Sequence, residues 1–185
     1  HGVGLSNDDV ARVIAVGATV VWCPGSNLAM LGRTLDPRRL FDAGLLALGT
    51  DSRLTGSRDL LDELRVAAAL SDLTSSELLR LVTADGARAF RMSQARDVRE
   101  LSNADCFVIH RDGDPYESLL RTARGDIRAV IRDGVPVIAD PDFADWFAHC
   151  DVETVEISVD GRPKLAAKGI VRPEAVTLEP GLEFL

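Results

Sequence analysis

The sequence is poor in cysteine, and this shortage excludes two classes of small stabilised protein. Cys23, Cys106 and Cys150 are the only cysteines among 185 residues. They lie far apart, and no two of them form a C-x-x-C pair. A disulfide framework or a structural zinc knot is therefore not expected. We interpret all three as small buried hydrophobic residues in a reducing compartment, which predicts a cytoplasmic location.

Positive charge and long apolar runs are also scarce. The net charge is −8, with 21 Lys and Arg against 29 Asp and Glu, which argues against a nucleic-acid partner. No apolar stretch approaches the roughly 18 residues of a membrane span, and the first residues do not have the pattern of a signal peptide, so no membrane partner is expected. No G-x-G-x-x-G or P-loop follows a predicted strand, which counts against a doubly wound nucleotide or phosphate binder.

What the chain does contain, over its first 95 residues, is an alternation of helices and apolar strands. Continuous apolar runs at residues 18–23 and 45–50 predict two buried strands. Helices are predicted after the cap at Ser6, after Asp36-Pro37, from Ser57, after the capping box that starts at Thr74, and over 83–90. Helices that cross between fully apolar strands indicate a parallel sheet covered on both sides.

The pattern changes near residue 95. Residues 104–110 predict a strand and residues 116–124 a helix. Two Asp-Gly pairs, at 133–134 and 160–161, lie between alternating apolar residues, and this is the strongest short signal for a β-hairpin. The sequence therefore predicts an α/β domain over residues 1–95 and a β-rich domain over residues 96–185.

Polar residues lie at three expected strand ends in the first domain: those of the two apolar runs, and a further one at His1-Gly2, just before the first helix. His1 precedes the first helix, Ser26 and Asn27 follow the first apolar run, and Asp51 follows the second. Ligands of parallel β/α folds bind at the carboxyl ends of the strands, so these side chains are expected to converge. Each also has a simpler interpretation: Asp51 as a cap for the next segment, His1 as the remnant of a cut tag, and Ser26-Asn27 as a turn.

Taken together, the motifs resemble one known family. The relevant stretches are His1-Gly2-Val3-Gly4-Leu5-Ser6, Trp22-Cys23-Pro24-Gly25-Ser26-Asn27-Leu28, Asp36 to Gly44, Leu48-Gly49-Thr50-Asp51-Ser52, Asp59-Leu60-Leu61-Asp62-Glu63-Leu64-Arg65 and Thr83-Ala84-Asp85-Gly86-Ala87-Arg88-Ala89. They resemble the C-terminal part of the metal-dependent amidohydrolase superfamily, in its branch of chlorohydrolases and cytosine, guanine and adenosine-type deaminases. The resemblance implies roughly strands six to eight of a (β/α)8 barrel, followed by part of a small composite β-sandwich.

The resemblance also implies roles for individual residues. Asp51 matches the metal ligand and proton shuttle of the family, and His1 matches a residue that contacts the substrate or the metal-bound water. Ser26 and Asn27 match a loop that shapes the substrate pocket, whereas Trp22 stands where many members carry His. Independently of the family, Arg53 lies just beyond Asp51, where it is either the receptor for an anionic substrate group or a solvated loop residue.

The expected cofactor is a divalent metal, with zinc as the first choice and iron or manganese as alternatives. A catalytic zinc site needs about three protein ligands and a water. The family's first-strand His-x-His pair and fifth-strand His have no counterpart among the three histidines of this sequence. We therefore expect a segment whose partner is the missing N-terminal part of the barrel, acting together on carbon–nitrogen bonds of a small-molecule substrate.

Two points stay open from the sequence. Either the isolated segment is an inactive part of a hydrolase, or the protein is a metal-free member of the fold that serves as a structural or interaction subunit. An upstream His-x-His pair and a later lone His would favour the hydrolase. A homo-oligomer is compatible with the sequence but is not indicated by it.

Overall fold

A computed structural model describes residues 1–92 and 105–185, and the chain divides into two compact units, residues 1–97 and 98–185. In the first unit the elements are helix α1 (Asn7–Ala15), strand β1 (Val20–Trp22), helices α2 (Pro24–Leu31) and α3 (Arg38–Asp42), strand β2 (Leu46–Leu48), and helices α4 (Leu60–Leu70), α5 (Ser75–Val82) and α6 (Ala84–Ala89). Throughout the described ranges, no helix has the length and apolar character needed to cross a membrane.

The two strands of the first unit form a parallel pair. Val20 lies opposite Leu46, and Trp22 lies opposite Leu48. The connection between them contains helices α2 and α3, as a parallel crossover requires. The predicted parallel pairing is confirmed. Because both strands run in the same direction, the residues that follow Trp22 and Leu48 meet at one edge of the sheet.

The helix caps explain where α1 and α5 begin. The Ser6 hydroxyl accepts the backbone N–H of Asp9, and the Asp9 side chain accepts the Ser6 N–H in return. Thr74 and Glu77 form the same reciprocal capping box at α5. Each box satisfies two backbone donors that the first helical turn leaves without partners. Both predicted helix starts are confirmed.

The predicted start of α4 at Ser57 is wrong by three residues. The helix begins at Leu60, because Asp59 is extended and its side chain accepts the backbone N–H of Asp62 at 2.9 Å. Aspartate is among the preferred N-cap residues, so Asp59 rather than Ser57 caps the start of this helix.

The interpretation of Ser26-Asn27 as a turn is wrong, since Pro24 begins helix α2. Proline suits the first helical position because its φ is already helical and its missing N–H would have no partner there. Ser26 and Asn27 therefore lie in the first turn of a helix, and both are buried. Helix α2 ends at Gly32, whose positive φ of 65° completes a left-handed C-cap.

The second unit is built on one antiparallel sheet. Its elements are β3 (Cys106–Val108), α7 (Pro115–Arg121), β4 (Ala129–Arg132), β5 (Val135–Ala139), α8 (Ala144–His149), β6 (Thr154–Val159), β7 (Arg162–Ala167), α9 (Ala175–Leu178) and β8 (Leu182–Phe184), with short 3-10 helices at Arg124–Asp126 and Pro141–Phe143. Six strands pair in the order β3-β4-β5-β7-β6-β8. The helix predicted over 116–124 starts earlier, at Pro115, since Asp114 caps it by accepting two backbone N–H groups.

Both hairpins predicted at Asp-Gly pairs are confirmed. Strands β4 and β5 are joined at Asp133-Gly134, and strands β6 and β7 at Asp160-Gly161. All four turn residues have positive φ, between 50° and 79°, as the two central residues of a type I′ turn require. Phe147 of α8, which is 1% exposed, packs into a core that also contains four sheet residues: Ala129, Ile131, Ala139 and Ala167.

Acid is expected to destabilise the first unit through Glu77. Arg38 donates to its carboxylate at 3.0 and 3.2 Å, and the Thr74 backbone N–H donates at 2.8 Å. These bonds, with that of Arg38 the largest, lower the pKa of Glu77 from 4.5 to about 2. Because the folded-state pKa is depressed, the stabilisation is present above pH 4.5 and is lost as the pH falls towards 2.

The free energy of unfolding, measured by urea titration across this pH range, should decline less steeply in Glu77→Gln than in the wild type. Glu156→Gln is the matched control, since Glu156 is an exposed residue of strand β6. It should keep the wild-type slope. An unchanged slope in Glu77→Gln would remove Glu77 from the explanation of acid sensitivity.

Candidate active site

The segments that follow the two parallel strands bring Ser26 and Asp51 together, and His1 lies beside them. The Ser26 hydroxyl donates a hydrogen bond of 2.6 Å to Asp51 Oδ2. The Nδ1 atom of His1 lies 3.8 Å from the same oxygen. The His1 and Asp51 side chains keep 48% and 32% of their exposure, so a ligand can reach both. The convergence expected from the sequence is therefore present in the geometry.

Asp51 has an unusual backbone conformation for a residue with a side chain. Its φ is +56°, in the left-handed region, which Asp and Asn enter more readily than other non-glycine residues. Asp51 also does not cap the next helix, since that role belongs to Asp59. A residue held in a sparsely populated conformation, with an accessible carboxylate and no capping role, is a candidate for function.

Ser26 is positioned to hold the Asp51 carboxylate rather than to meet a ligand. Its side chain is buried, at 2% exposure. A serine hydroxyl has one proton to donate, and the geometry gives that proton to Asp51. The Thr55 hydroxyl lies 3.3 Å from Ser26 Oγ and 3.5 Å from the carbonyl oxygen of Ser52. Thr55 was not identified from the sequence, because a threonine in a loop carries no distinctive signal.

Asn27 holds the backbone at His1. Its Nδ2 atom donates to the carbonyl oxygen of His1 at 3.2 Å and to Thr34 Oγ1 at 3.0 Å. The indole N–H of Trp22 donates to the same Thr34 hydroxyl at 2.7 Å. Trp22 is fully buried, so where many members of the family carry a histidine this chain has a core residue with a satisfied polar atom.

One further residue of this region, Glu63, had no role assigned from the sequence. Glu63 of α4 is 0% exposed, and its Oε1 atom accepts the backbone N–H of Gly25 at 2.8 Å. Burial raises the pKa of the neighbouring Cys23 thiol, and the negative charges of Asp51 and Glu63 act in the same direction. Cys23 is therefore held as a neutral thiol, in agreement with its interpretation as a buried hydrophobic residue.

Glu63 did leave a signal in the sequence. Leu60, Glu63, Leu64 and Ala67 are spaced as one face of a helix, and all but Glu63 are apolar. A glutamate on an apolar face is either a local exception or a buried carboxylate with a partner. Arg53, by contrast, is exposed in the turn that follows Asp51, which leaves it accessible to a ligand.

The residues present fit part of a metal site. Over residues 1–92 and 105–185, no group of three His, Cys, Asp or Glu side chains is arranged to hold a metal ion. His1 and Asp51 supply an imidazole and a carboxylate, which are zinc ligand types, but two donors are fewer than the roughly three protein ligands of a catalytic zinc. Asp51 therefore fits as one member of a ligand set that these residues do not complete.

Known proteins with similar sequences include several deaminases. No family model matches the chain. It is 29% identical over 174 residues to a 5-methylthioadenosine/S-adenosylhomocysteine deaminase of Haloquadratum walsbyi, an alignment that covers 84% of this chain and 39% of that protein. The chain thus spans about two fifths of the length of the curated relatives it matches.

Solved structures share the fold. An adenosine deaminase from Xanthomonas campestris with bound zinc matches with a TM-score of 0.64 and 24% identity, over 82% of this chain and 40% of that one. An atrazine chlorohydrolase from Arthrobacter aurescens, complexed with zinc, matches with a TM-score of 0.63 and 24% identity, over 74% of this chain and 35% of that one. At these identities, the likeness establishes a common fold.

Proposed function

The chain belongs to the metal-dependent amidohydrolase superfamily, and from that premise we propose that it forms part of a hydrolase that cleaves carbon–nitrogen bonds other than peptide bonds. One observation supports this most strongly. At the carboxyl end of a parallel strand, the Asp51 carboxylate is accessible, accepts a 2.6 Å hydrogen bond from Ser26, and lies 3.8 Å from the His1 imidazole. The reaction consumes water and an amine and releases ammonia and a carbonyl product.

The chain contributes the last β/α units of a (β/α)8 barrel in this proposal, in the region of strands six to eight. The remaining metal ligands come from a part of the polypeptide that lies before this segment. The antiparallel sheet of the second unit belongs to a composite β-sandwich. Two short parallel strands that alternate with helices support the first assignment, because such strands need further neighbours to close a barrel.

A divalent metal, zinc first and iron or manganese as alternatives, supplies a Lewis acid that lowers the pKa of water to about 7. The Asp51 carboxylate serves as one metal ligand. It also takes the proton of the attacking water and delivers it to the leaving nitrogen, acting as general base and then as general acid. Ser26 holds Oδ2 by its hydrogen bond, which fixes the carboxylate for both transfers.

His1 and Arg53 have different tasks in this proposal. The His1 imidazole donates to the charge that develops on the attacked group, a form of electrostatic stabilisation. Arg53 receives an anionic group of the substrate. Ser26 and Asn27, expected from the sequence to contact substrate, instead support Asp51 and the His1 backbone, since both are buried and hydrogen-bonded within the unit.

The substrate class we favour is an aminopurine nucleoside or thioether nucleoside. The relatives named above are 5-methylthioadenosine/S-adenosylhomocysteine deaminases. Attack by water at the carbon that bears an exocyclic amino group is the chemistry that a metal, a proton-shuttling carboxylate and a neighbouring imidazole can catalyse together. A panel of 5-methylthioadenosine, S-adenosylhomocysteine and adenosine would define the preference.

The second candidate is a metal-free protein of the same fold that serves as a structural or interaction subunit. The incomplete set of metal ligands across the described residues favours it. The two candidates differ in one respect: the hydrolase carries a His-x-His pair and a later lone His upstream of this segment, and the subunit carries neither.

Metal removal tests the proposed function. The full-length polypeptide should release ammonia from at least one nucleoside of the panel, a chelator should abolish this release, and added zinc should restore it. The isolated 185-residue chain is the control. It should hold less than one zinc per chain and turn over nothing, because it offers too few ligands. Chelator-resistant turnover in the full-length protein would contradict a metal-dependent mechanism.

A further inference from the structure

Glu63 is a buried carboxylate without an assigned role in catalysis. It lies on the inner face of α4 with 0% exposure. Burying a carboxylate is unfavourable unless hydrogen bonds or charges compensate it. Its Oε1 atom accepts the Gly25 N–H at 2.8 Å, while its Oε2 atom has no hydrogen-bond partner among the described residues. The hydrogen bond with Gly25 is therefore the contact that compensates the burial of the Glu63 carboxylate.

That contact supplies a cap that helix α2 does not provide for itself. Cys23 occupies the N-cap position and makes no side-chain cap hydrogen bond. Pro24, the first helical residue, has no N–H to offer. Gly25 carries the first free N–H of the helix, and Glu63 accepts it from a different element. The carboxylate also places negative charge at the positive end of the helix dipole.

Gly25 makes this approach possible. A Cβ atom at position 25 would lie 2.7 Å from Glu63 Oε2 and 2.9 Å from Ser57 Oγ. Both distances are too short for real side chains. The absence of a side chain at Gly25 therefore lets the carboxylate reach the helix end, directly before the residue that holds Asp51.

We propose that Glu63 is a positioning residue for the reaction, acting through Gly25 and the first turn of α2 on Ser26, and through Ser26 on Asp51. The inference rests on the proposed function. Glu63 does not touch the reacting atoms. It fixes the helix end from which the Ser26 hydroxyl reaches Asp51 Oδ2 at 2.6 Å. Small errors in the placement of a reacting group reduce rates strongly, by about a hundredfold for an error of 1 Å.

A double-mutant cycle tests this pathway. The kcat and KM for deamination are measured in the full-length, zinc-loaded polypeptide for the wild type, Glu63→Leu, Ser26→Ala and the double variant. Glu63→Leu removes the acceptor for the Gly25 N–H, which glutamine would retain. It should lower kcat about tenfold and change KM less than about twofold, since it disturbs positioning more than binding. The double variant should be no slower than Ser26→Ala alone, because both substitutions interrupt one pathway.

Glu77→Gln is the matched control, since Glu77 also caps a helix of the same unit, α5. It should lower the melting temperature, leave kcat unchanged, and combine additively with Ser26→Ala. If Glu63→Leu does not fold, Gly25→Ala replaces it, because the added Cβ displaces the carboxylate and should produce the same loss of kcat.

The outcomes separate the two proposals. Normal kcat in Glu63→Leu, or losses that simply multiply with those of Ser26→Ala, would overturn the positioning role while the wild type remains active. A wild type that deaminates no nucleoside of the panel would overturn the proposed function, and the positioning role with it.

Discussion

Replacing Asp51 by Asn in the full-length polypeptide should lower kcat/KM for deamination by about 10²- to 10⁴-fold, the usual contribution of a general acid–base residue. Asparagine enters the left-handed backbone region as readily as aspartate, so the φ of +56° is not strained further. Its side-chain oxygen can also still accept the Ser26 hydrogen bond. The substitution removes the negative charge and the proton transfer while keeping the surroundings of the residue.

The control for Asp51→Asn is Asp8→Asn, at an exposed position in the first turn of α1. Both variants should melt within a few degrees of the wild type, and Asp8→Asn should keep full turnover. Near-normal turnover in Asp51→Asn would exclude the carboxylate from catalysis and would leave it a loop residue.

Trp22→Ala is expected to cost about 3–5 kcal/mol of unfolding free energy, the range observed when a large aromatic residue is deleted from a core. Trp22 is 0% exposed in strand β1, and its indole N–H donates to Thr34 Oγ1. Its deletion leaves a cavity beside β1 and removes one donor to the Thr34 hydroxyl. Urea titration of the 185-residue chain, followed by circular dichroism, measures the change.

Trp22→Phe separates packing from hydrogen bonding. Phenylalanine retains most of the apolar volume but has no N–H, and Thr34 Oγ1 still accepts from Asn27. The loss should therefore be smaller, at about 1–3 kcal/mol. If Trp22→Ala and Trp22→Phe were equally destabilised, the hydrogen bond rather than the buried volume would account for the role of Trp22.

Features that depend on neighbouring residues were predictable from the sequence. The boxes at Ser6 and Thr74 and the turns at Asp133 and Asp160 each use residues within a few positions, so their signals are local. The parallel strands were predictable because their apolar runs are continuous. The approach of Ser26 to Asp51 also followed, since parallel strands place their carboxyl ends at one edge.

What the sequence did not reveal depends on contacts between distant residues. Pro24-Gly25 favours a turn when considered alone, yet it begins helix α2, and Glu63, 38 positions later, accepts the Gly25 N–H. The Thr34 hydroxyl accepts hydrogen bonds from Trp22 and Asn27, and no sequence pattern links it to these two residues. For the same reason, the burial of Ser26 and Asn27 could not be foreseen from a motif that is typical of exposed loops.

The hydrogen bond between Asn27 and His1 does not involve the His1 side chain. Asn27 Nδ2 donates to the carbonyl oxygen of His1, a main-chain atom that every amino acid possesses. The location of position 1 is thus independent of the side chain carried there, and only the group presented to the ligand depends on it. We therefore expect that replacing His1 changes the group presented to a ligand while the Asn27 hydrogen bond to the main chain is kept.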